Sequence, residues 1–177
     1  MVLDIIDQYI GAIVLQKEGE NMNEGKKFEQ DFKNSVPSNW FYYRFKDGSA
    51  SWGGNDKVRF QANNICDCMI FNSTYLYLVE LKSHKGKSIP LNCIRDNQKV
   101  QMKDASNKGC VSLFIFNMRD IDRTYIVYAD DLVDYIENTD RKSIPLEFLI
   151  EKGQELIGNK KRTRWIYDIE KAFIDII

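Results

Sequence analysis

The sequence of 177 residues predicts one mixed α/β domain, with helices packed on a central β-sheet. Its composition, 44% hydrophobic and 29% charged with three prolines, is typical of a globular chain and excludes wholesale disorder. Apolar runs with strand character alternate with segments whose apolar residues recur at helical spacing. The elements follow in the order helix, strands, helix, strands, helix, which favours a sheet covered by helices.

The first 21 residues are expected to form a helical extension in front of the core. Ile6, Ile10 and Ile13 recur at helical spacing, while Asp4 and Asp7 interrupt the apolar run. No stretch reaches the roughly 18 to 20 apolar residues that span a bilayer, and no basic residue precedes the opening. We therefore expect neither a signal peptide nor a membrane partner, and a cytoplasmic location.

The core is predicted to begin with a helix over residues 24–34, in which Phe28 and Phe32 lie on one face. A strand over residues 40–45 follows. Residues 46–64 are rich in glycine, serine, asparagine and aspartate, and they are too long and polar for a tight turn. We expect them to form an exposed excursion.

The rest of the core is predicted to be two strands joined by a turn, a basic loop, a helix, two strands and a helix. These elements are expected at residues 65–71 and 75–82, 83–92, 93–108, 110–117 and 124–128, and 130–138. Residues 22–140 would then form the core domain. Residues 141–177 are expected to form a helical tail packed on the core, with a basic run at residues 160–164.

The first two of these strands carry acidic residues in an apolar setting. If the turn consists of residues 72–75, Phe71 pairs with Leu76, and counting back sets Asp67 opposite Glu80. Side chains that face each other in this way have Cβ atoms about 5 Å apart. Two such carboxylates repel each other and lose solvation, and a divalent cation such as Mg²⁺ would relieve both costs.

Lys82 lies on the same face of its strand as Glu80, because side chains alternate along a strand. An ammonium group there would face the phosphate or the attacking water in metal-assisted hydrolysis of a phosphodiester. The alternative is that Lys82 only neutralises Glu80 and Asp67 at the edge of a sheet. The E-x-K spacing is weak alone, but an aspartate thirteen residues earlier in an apolar strand favours the functional interpretation.

Four motifs carry a resemblance to a known family. They are G-K-K-F-E at residues 25–29, Asp67, Glu80-Leu81-Lys82, and Asn97-Gln98 in the next helix. Over residues 25–137 these motifs resemble those of the PD-(D/E)xK nuclease superfamily and, within it, the RecU-like Holliday junction resolvases, including phage-borne relatives. The resemblance implies a restriction-endonuclease-like core, with a mixed central β-sheet flanked by helices.

The resemblance also implies a role for the central residues. Asp67, Glu80 and the backbone carbonyl of Leu81 would bind Mg²⁺, for which Mn²⁺ would substitute. Lys82 would orient or activate the attacking water and stabilise the transition state.

Two helical residues complete the site that the resemblance implies. Glu29 would approach the metal from the first helix, directly or through water, and Gln98 would position a metal-bound water. The alternatives are that Glu29 forms an ordinary exposed pair with Lys33, four residues on, and that Gln98 is a solvated helix residue.

The sequence departs from the family pattern in two places. Cys66 stands where the superfamily name has a proline. Residues 46–64 occupy the place of the projecting stalk of RecU-like enzymes, but they look shorter and rich in glycine.

Contact with DNA would need a local basic patch, because the net charge is −1. Residues 81–110 hold seven basic and two acidic residues, a pattern that suits backbone contact but also a solvated loop. Trp52 could wedge against bases, or fold back on the core, and the run at 160–164 could be a second contact or a charged turn. The residues predicted to contact DNA are Arg44, Lys57, Arg59, Ser83, Lys85, Lys87, Arg95 and Lys99.

The sequence therefore predicts a Mg²⁺-dependent endonuclease that cuts four-way DNA junctions. Symmetric cutting needs two active sites, so we expect a homodimer, acting in a bacterial or phage-infected cell. One alternative is a restriction-type or repair endonuclease that cuts linear duplex DNA. The other is a catalytically inactive DNA-binding protein on the same scaffold.

Overall fold

The computed structural model describes residues 23–46 and 64–177. The predicted helical extension and nearly all of the segment at 46–64, with Trp52, Lys57 and Arg59, lie outside the described residues.

The described chain forms five α-helices and ten β-strands. The helices are α1 (Glu24–Ser35), α2 (Asp96–Asn107), α3 (Ala129–Glu137), α4 (Leu146–Lys152) and α5 (Ile169–Asp175). The strands are β1 (Phe41–Arg44), β2 (Cys68–Phe71), β3 (Leu76–His84), β4 (Ser88–Pro90), β5 (Val111–Met118), β6 (Arg123–Tyr128), β7 (Ser143–Pro145), β8 (Gln154–Glu155), β9 (Gly158–Lys161) and β10 (Arg164–Tyr167).

The central sheet has six strands in the order β1-β2-β3-β5-β6-β8. β3 and β5 are parallel, and every other pair in this sheet is antiparallel. Two short antiparallel pairs, β4–β7 and β9–β10, stand outside it. The mixed α/β class predicted from the sequence is therefore confirmed, and the parallel pair brings the carboxyl ends of β3 and β5 to one edge.

Helices cover both faces of this sheet. On one face, hereafter the α1 face, α1 and α5 pack through Phe32 and Phe173 against Val79 and Leu113. On the other face, hereafter the α2 face, helices α2, α3 and α4 bury a second cluster that includes Met102, Leu132 and Leu149. Burying apolar side chains on both sides of the sheet is the main source of stability in such a layered domain.

Helix α1 begins and ends where local chemistry dictates. The Asn23 side chain accepts a hydrogen bond of 2.9 Å from the backbone N–H of Gly25 and so caps the first turn. Phe28, Asp31 and Phe32 are buried, at the spacing that places three residues on one helix face. The helix stops before Pro37, because the residue that precedes a proline is held extended.

The turn between β2 and β3 is built by one asparagine. Asn72 Oδ1 accepts hydrogen bonds from the backbone N–H groups of Thr74 and Tyr75, at 3.1 and 2.8 Å. Such a side chain mimics a backbone turn. Ser73 adopts a left-handed φ of 74°, and Phe71 then pairs with Leu76, the predicted register.

The carboxyl-terminal segment differs from the predicted helical tail. Residues 141–177 contain α4 and α5, but they also contribute four strands, of which β8 extends the central sheet. The basic run at 160–164 lies on the β9–β10 hairpin, where Lys161 pairs with Arg164. These strands are two to four residues long, too short to give a period of their own in the sequence.

Candidate active site

Strand β3 brings an acidic side chain into the interior beside the end of β2. Val79 and Leu81 face the α1 side. Because side chains alternate along a strand, Glu80 points to the α2 side, as Leu78 does. Glu80 is only 1% exposed. A carboxylate so deeply buried needs a partner that offsets its lost hydration.

Asp67 is fixed at the start of β2 by two backbone contacts to β3. Its N–H donates to the carbonyl of Val79 at 3.1 Å, and its Oδ2 accepts from the N–H of Leu81 at 2.8 Å. Cys68 pairs with Val79, so continuing that register by one residue sets Asp67 opposite Glu80. The structure thus brings together the two acids that the hairpin count placed face to face.

The carboxylate of Glu80 acts on the protonation of Asp67. Burial, and then the negative charge of Glu80, raise the pKa of Asp67 from 3.8 to about 7. The Lys82 ammonium lies 2.6 Å from Glu80 Oε1 and remains 20% exposed, while Glu80 Oε2 is buried with no hydrogen-bond partner in the part of the chain that the structure describes. The ammonium of Lys82 is therefore the one cation shared by two carboxylates. A second positive charge beside them would stabilise the pair further.

The donor set fits a hard divalent cation. Each acid has one oxygen engaged, Asp67 Oδ2 by a backbone N–H and Glu80 Oε1 by Lys82, which leaves the other oxygen of each for a ligand. The Leu81 carbonyl lies on the same edge of β3 as its N–H, and therefore on the side of Asp67.

Among the residues that the structure describes, no three His, Cys, Asp or Glu side chains converge on one point. A cation held here would therefore keep several waters, as Mg²⁺ commonly does.

Glu29 has a different partner from the one considered in the sequence. Its Oε2 accepts hydrogen bonds from Arg44 Nε and Nη2, at 3.0 and 2.6 Å, so that α1 is tied to β1. The alternative pairing with Lys33 does not appear among the ion pairs of the described chain. The negative charge of Glu29 also contributes to the raised pKa of Asp67, so Glu29 lies close enough to act on the acid pair electrostatically.

Gln98 is fully buried rather than solvated, which makes the alternative interpretation of this residue wrong. Its Oε1 accepts a hydrogen bond of 3.2 Å from the backbone N–H of Arg95 and so caps α2. Its Nε2 is buried without a partner among the described residues, which leaves its two N–H donors for a water or ligand on the α2 face.

Comparison with known proteins decides the family. The sequence model of RecU, described as Recombination protein U, matches residues 32–169, more than three quarters of the chain. The chain belongs to the RecU family. It is a Holliday junction resolvase, an endonuclease that hydrolyses DNA phosphodiester bonds and depends on a divalent metal.

Two individual proteins are similar to this RecU-family chain. The SPbeta prophage-derived uncharacterized protein YotM of Bacillus subtilis (strain 168) is 27% identical over 172 residues, which cover 88% of this chain and 87% of that protein. The structure of Hjc from Archaeoglobus fulgidus, a Holliday junction resolvase, has a TM-score of 0.50 and 16% identity, covering 74% of this chain and 95% of that one. This likeness confirms the restriction-endonuclease-like fold.

The RecU match has different ends from the resemblance seen in the sequence. It begins at residue 32, after Glu29, and it continues to residue 169. The β9–β10 hairpin is therefore part of the RecU region rather than an addition behind residue 137.

The predicted basic patch of this RecU-family protein is weaker than its charge count suggests. Lys99 pairs with Asp96 at 2.7 Å, and Arg44 holds Glu29. Lys103 and Lys108, which also belong to the patch, form ion pairs with acids of α3 and α2. The Ser83 hydroxyl already donates a hydrogen bond to Asn117 on the neighbouring strand. The exposed predicted contacts that form no ion pair in the described chain are Lys85, Lys87 and Arg95.

Sequence reasoning missed a polar chain on the α1 face. Ser83 Oγ donates to Asn117 Oδ1, and Asn117 Nδ2 donates to Thr124 Oγ1, each at 3.1 Å. The signal was present, because Asn117 interrupts an apolar strand in the same way as Asp67 does.

None of the described helices is long and apolar enough to cross a bilayer.

Proposed function

We propose that this RecU-family protein cuts four-way DNA junctions with Mg²⁺ bound by Asp67, Glu80 and the carbonyl of Leu81. The observation that supports this assignment best is the buried acid pair, in which Glu80 Oε2 has no partner and the pKa of Asp67 is raised to about 7. An arrangement that destabilises the folded chain in this way is expected where a ligand relieves the cost.

The chemistry of the bound ion is that of a Lewis acid. Held by Asp67, Glu80 and the Leu81 carbonyl, Mg²⁺ would supply this chemistry to the scissile phosphate and the attacking water. Mn²⁺ shares the preference for oxygen ligands and is expected to substitute.

Lys82 supplies the positive charge that the chain itself brings to the reaction. Its ammonium is held at 2.6 Å by Glu80 and is partly exposed, so it can reach a phosphate oxygen or the attacking water without leaving its partner. A cation fixed in advance stabilises the charge that develops in the transition state. Glu29 and Gln98 are assigned supporting roles, in which Glu29 adds negative charge near Asp67 and Gln98 offers a buried amide donor.

The exposed cations beside the site are assigned to the DNA backbone. Lys85, Lys87 and Arg95 follow the catalytic strand and start α2, so they would hold the strand next to the scissile phosphate, and Ser83 and Lys99 would assist. Contacts of this kind position DNA without reading its sequence. Arg44, Lys57 and Arg59 remain predicted contacts.

Two further properties belong to this proposal. A four-way junction has two strands to cut at related positions, so the active unit is proposed to be a homodimer, which sedimentation of the full chain would detect. The protein is proposed to act in the cytoplasm of a bacterial or phage-infected cell.

The test is cleavage of a synthetic four-way junction by the full chain, with Mg²⁺, with Mn²⁺ and with a chelator. Asp67→Asn is expected to abolish cleavage while junction binding is kept or strengthened, because a ligand charge is lost and the fold is not. Asp140→Asn, an exposed aspartate away from the site, is the matched control and should cut as the parent does. If Asp67→Asn cuts at the parental rate, the site assignment is wrong.

The linear arms of the same junction decide the substrate. Equal cleavage of arms and junction would favour the restriction-type or repair alternative. Binding by the parent chain without any metal-dependent cut would favour the inactive alternative.

A further inference from the structure

A second cleft opens on the α1 face of the sheet, away from Glu80 and Lys82. It has a volume of about 170 Å³ and lies between the first turn of α1 and the β9–β10 hairpin. Its walls include Lys27, Asn117, Arg119, Lys160 and Thr163. None of these residues has a part in the metal site described above.

Two guanidinium groups beside this cleft have donors without acceptors. Arg119 Nε and Arg164 Nη2 are both buried, and neither has a hydrogen-bond partner within residues 23–46 and 64–177. Leaving a buried charged donor unpaired carries the full cost of its lost hydration. Guanidinium groups are the side chains best suited to bind phosphate oxygens, because they offer several donors in a plane.

The acids around the cleft are largely neutralised by the hairpin. Asp31 forms an ion pair with Arg164, and Asp122 forms one with Lys160 at 2.8 Å. Glu24 is the third acid in the wall. At the tip of the hairpin, Lys161 and Arg162 are exposed and form no ion pair within the described part of the chain.

Arg162 occupies a position whose backbone favours other residues. Its φ is 57°, in the left-handed region, which is strained for a residue with a Cβ. Asparagine and glycine are the residues that two-residue hairpin turns favour there. An arginine with an exposed side chain at this position contributes charge rather than stability to the turn.

The cleft reaches the same strand ends as the acid pair. Asn117 lies beside Ser83 on the neighbouring strand, and Ser83 directly follows Lys82. The backbone N–H of Arg119 donates to the carbonyl of His84 at 2.9 Å. A nucleic acid that contacts Lys82 on the α2 face and this cleft on the α1 face would therefore pass around the end of β3 and β5.

We propose that the cleft and the tip of the β9–β10 hairpin bind a second stretch of DNA phosphate backbone, apart from the scissile phosphate. This inference rests on the proposed function, because it assumes that DNA is the substrate held at the acid pair. Arg119 and Lys160 form the floor of the contact, and Lys161 and Arg162 reach the adjacent phosphates.

The test is the salt dependence of junction binding by the full chain in a chelator, measured by fluorescence anisotropy. The variant is the double substitution Lys161→Gln with Arg162→Asn, in which asparagine suits the left-handed turn. Loss of two phosphate contacts should weaken binding by roughly tenfold and reduce the slope of log K against log salt by about 1.8. The controls are Lys152→Gln with Arg141→Asn, which remove the same charge from exposed positions elsewhere.

The inference is overturned if the double variant binds with the affinity and the salt slope of the control pair. It is also overturned if affinity falls and the slope stays unchanged, since no phosphate contact would then have been lost. Metal-dependent cleavage by the parent chain, measured in parallel, reports separately on the proposed function. If the parent cuts junctions and the hairpin variant binds as the control pair does, the proposed function stands and only the second contact is refuted.

Discussion

Two buried carboxylates in this protein differ in how completely their oxygens are hydrogen-bonded. Asp31, in α1, is 2% exposed, and its oxygens accept hydrogen bonds from the Arg164 guanidinium and from the backbone N–H of Trp165 at 3.1 Å. Glu80, in β3, is 1% exposed, yet one of its oxygens has no partner and its neighbour Asp67 carries the same charge.

The difference separates a contact that serves the fold from one that serves a ligand. The Asp31 contact joins α1 to β10 across the chain, and both of its oxygens are bonded, so it holds the hairpin in place. At Glu80, by contrast, the described chain supplies the ammonium of Lys82 but no second positive charge for the two carboxylates. Substitutions at the two acids should accordingly have opposite effects on stability and on cleavage.

The largest expected effect is on catalysis at Glu80. Glu80→Gln keeps the shape of the side chain but removes a ligand charge, so junction cleavage with Mg²⁺ should fall by roughly 10³-fold or more. The free energy of unfolding should stay within about 1 kcal/mol of the parent, because relief of the repulsion with Asp67 offsets the loss of the ion pair with Lys82. Single-turnover cleavage and urea unfolding measure the two quantities. A variant that unfolds much more easily would remove the contrast with Asp31.

The next effect is on stability at Asp31. Asp31→Asn leaves the Arg164 guanidinium without its partner charge. Asp31 is buried but the Arg164 side chain is 37% exposed, so the cost should lie below that of a fully buried pair, at about 2–3 kcal/mol. The melting temperature should fall by roughly 5–10 °C for a chain of this size. Lys171→Gln, which removes an exposed ion pair with Asp175, is the control and should change stability by less than about 1 kcal/mol. Equal losses of stability in Asp31→Asn and Lys171→Gln would show that the Asp31–Arg164 pair stabilises the fold no more than an exposed pair does.

The third effect is a dependence of stability on pH that arises from Asp67. Its pKa is about 7 in the folded chain and 3.8 as the ordinary value, so between those pH values the folded chain binds more protons than the unfolded chain. Stability from this group is greatest below pH 3.8 and is lost as the pH rises through 7, by on the order of 2–4 kcal/mol. Unfolding in a chelator at pH 5.5 and pH 8 should show the loss in the parent. Asp67→Asn should show a smaller one, and an identical pH profile would contradict the prediction.

The smallest effect concerns the partly exposed pair of Arg44 and Glu29. Arg44→Gln should cost less than about 1 kcal/mol of stability, as exposed ion pairs do. Cleavage should nevertheless fall several-fold, because Glu29 loses the two hydrogen bonds from Arg44 to its Oε2 that fix it near Asp67. Arg123→Gln breaks a comparable surface pair with Glu155 and should leave cleavage unchanged. Equal cleavage by the two variants would remove Glu29 from the site.

Much of the core and the acid pair could be predicted because they depend on local patterns. The four residues of the turn set the register of β2 and β3, and alternation along a strand then fixes which side chains face each other. Helix α1 was predictable for the same reason, since its cap and its buried phenylalanines lie within one short segment.

The rest depends on contacts between distant parts of the chain. Asp31 and Arg164 are 133 residues apart, and no local pattern indicates that they meet. The burial of Gln98 also follows from how α2 packs on the sheet, because the surrounding sequence is polar. Of the ion pairs that weaken the predicted basic patch, the one between Lys103 and Asp134 joins α2 to α3 in the same way.

The turn at residues 72–75 controls the active site from the opposite end of the hairpin. Adding or deleting a single residue there would shift β3 by one position against β2, and each side chain would exchange faces. Glu80 would then point among the apolar residues of α1, while Leu81 would face Asp67. A change in the length of this turn is therefore expected to abolish cleavage, although Ser73, Thr74 and Tyr75 are exposed and lie far along the strands from the acid pair.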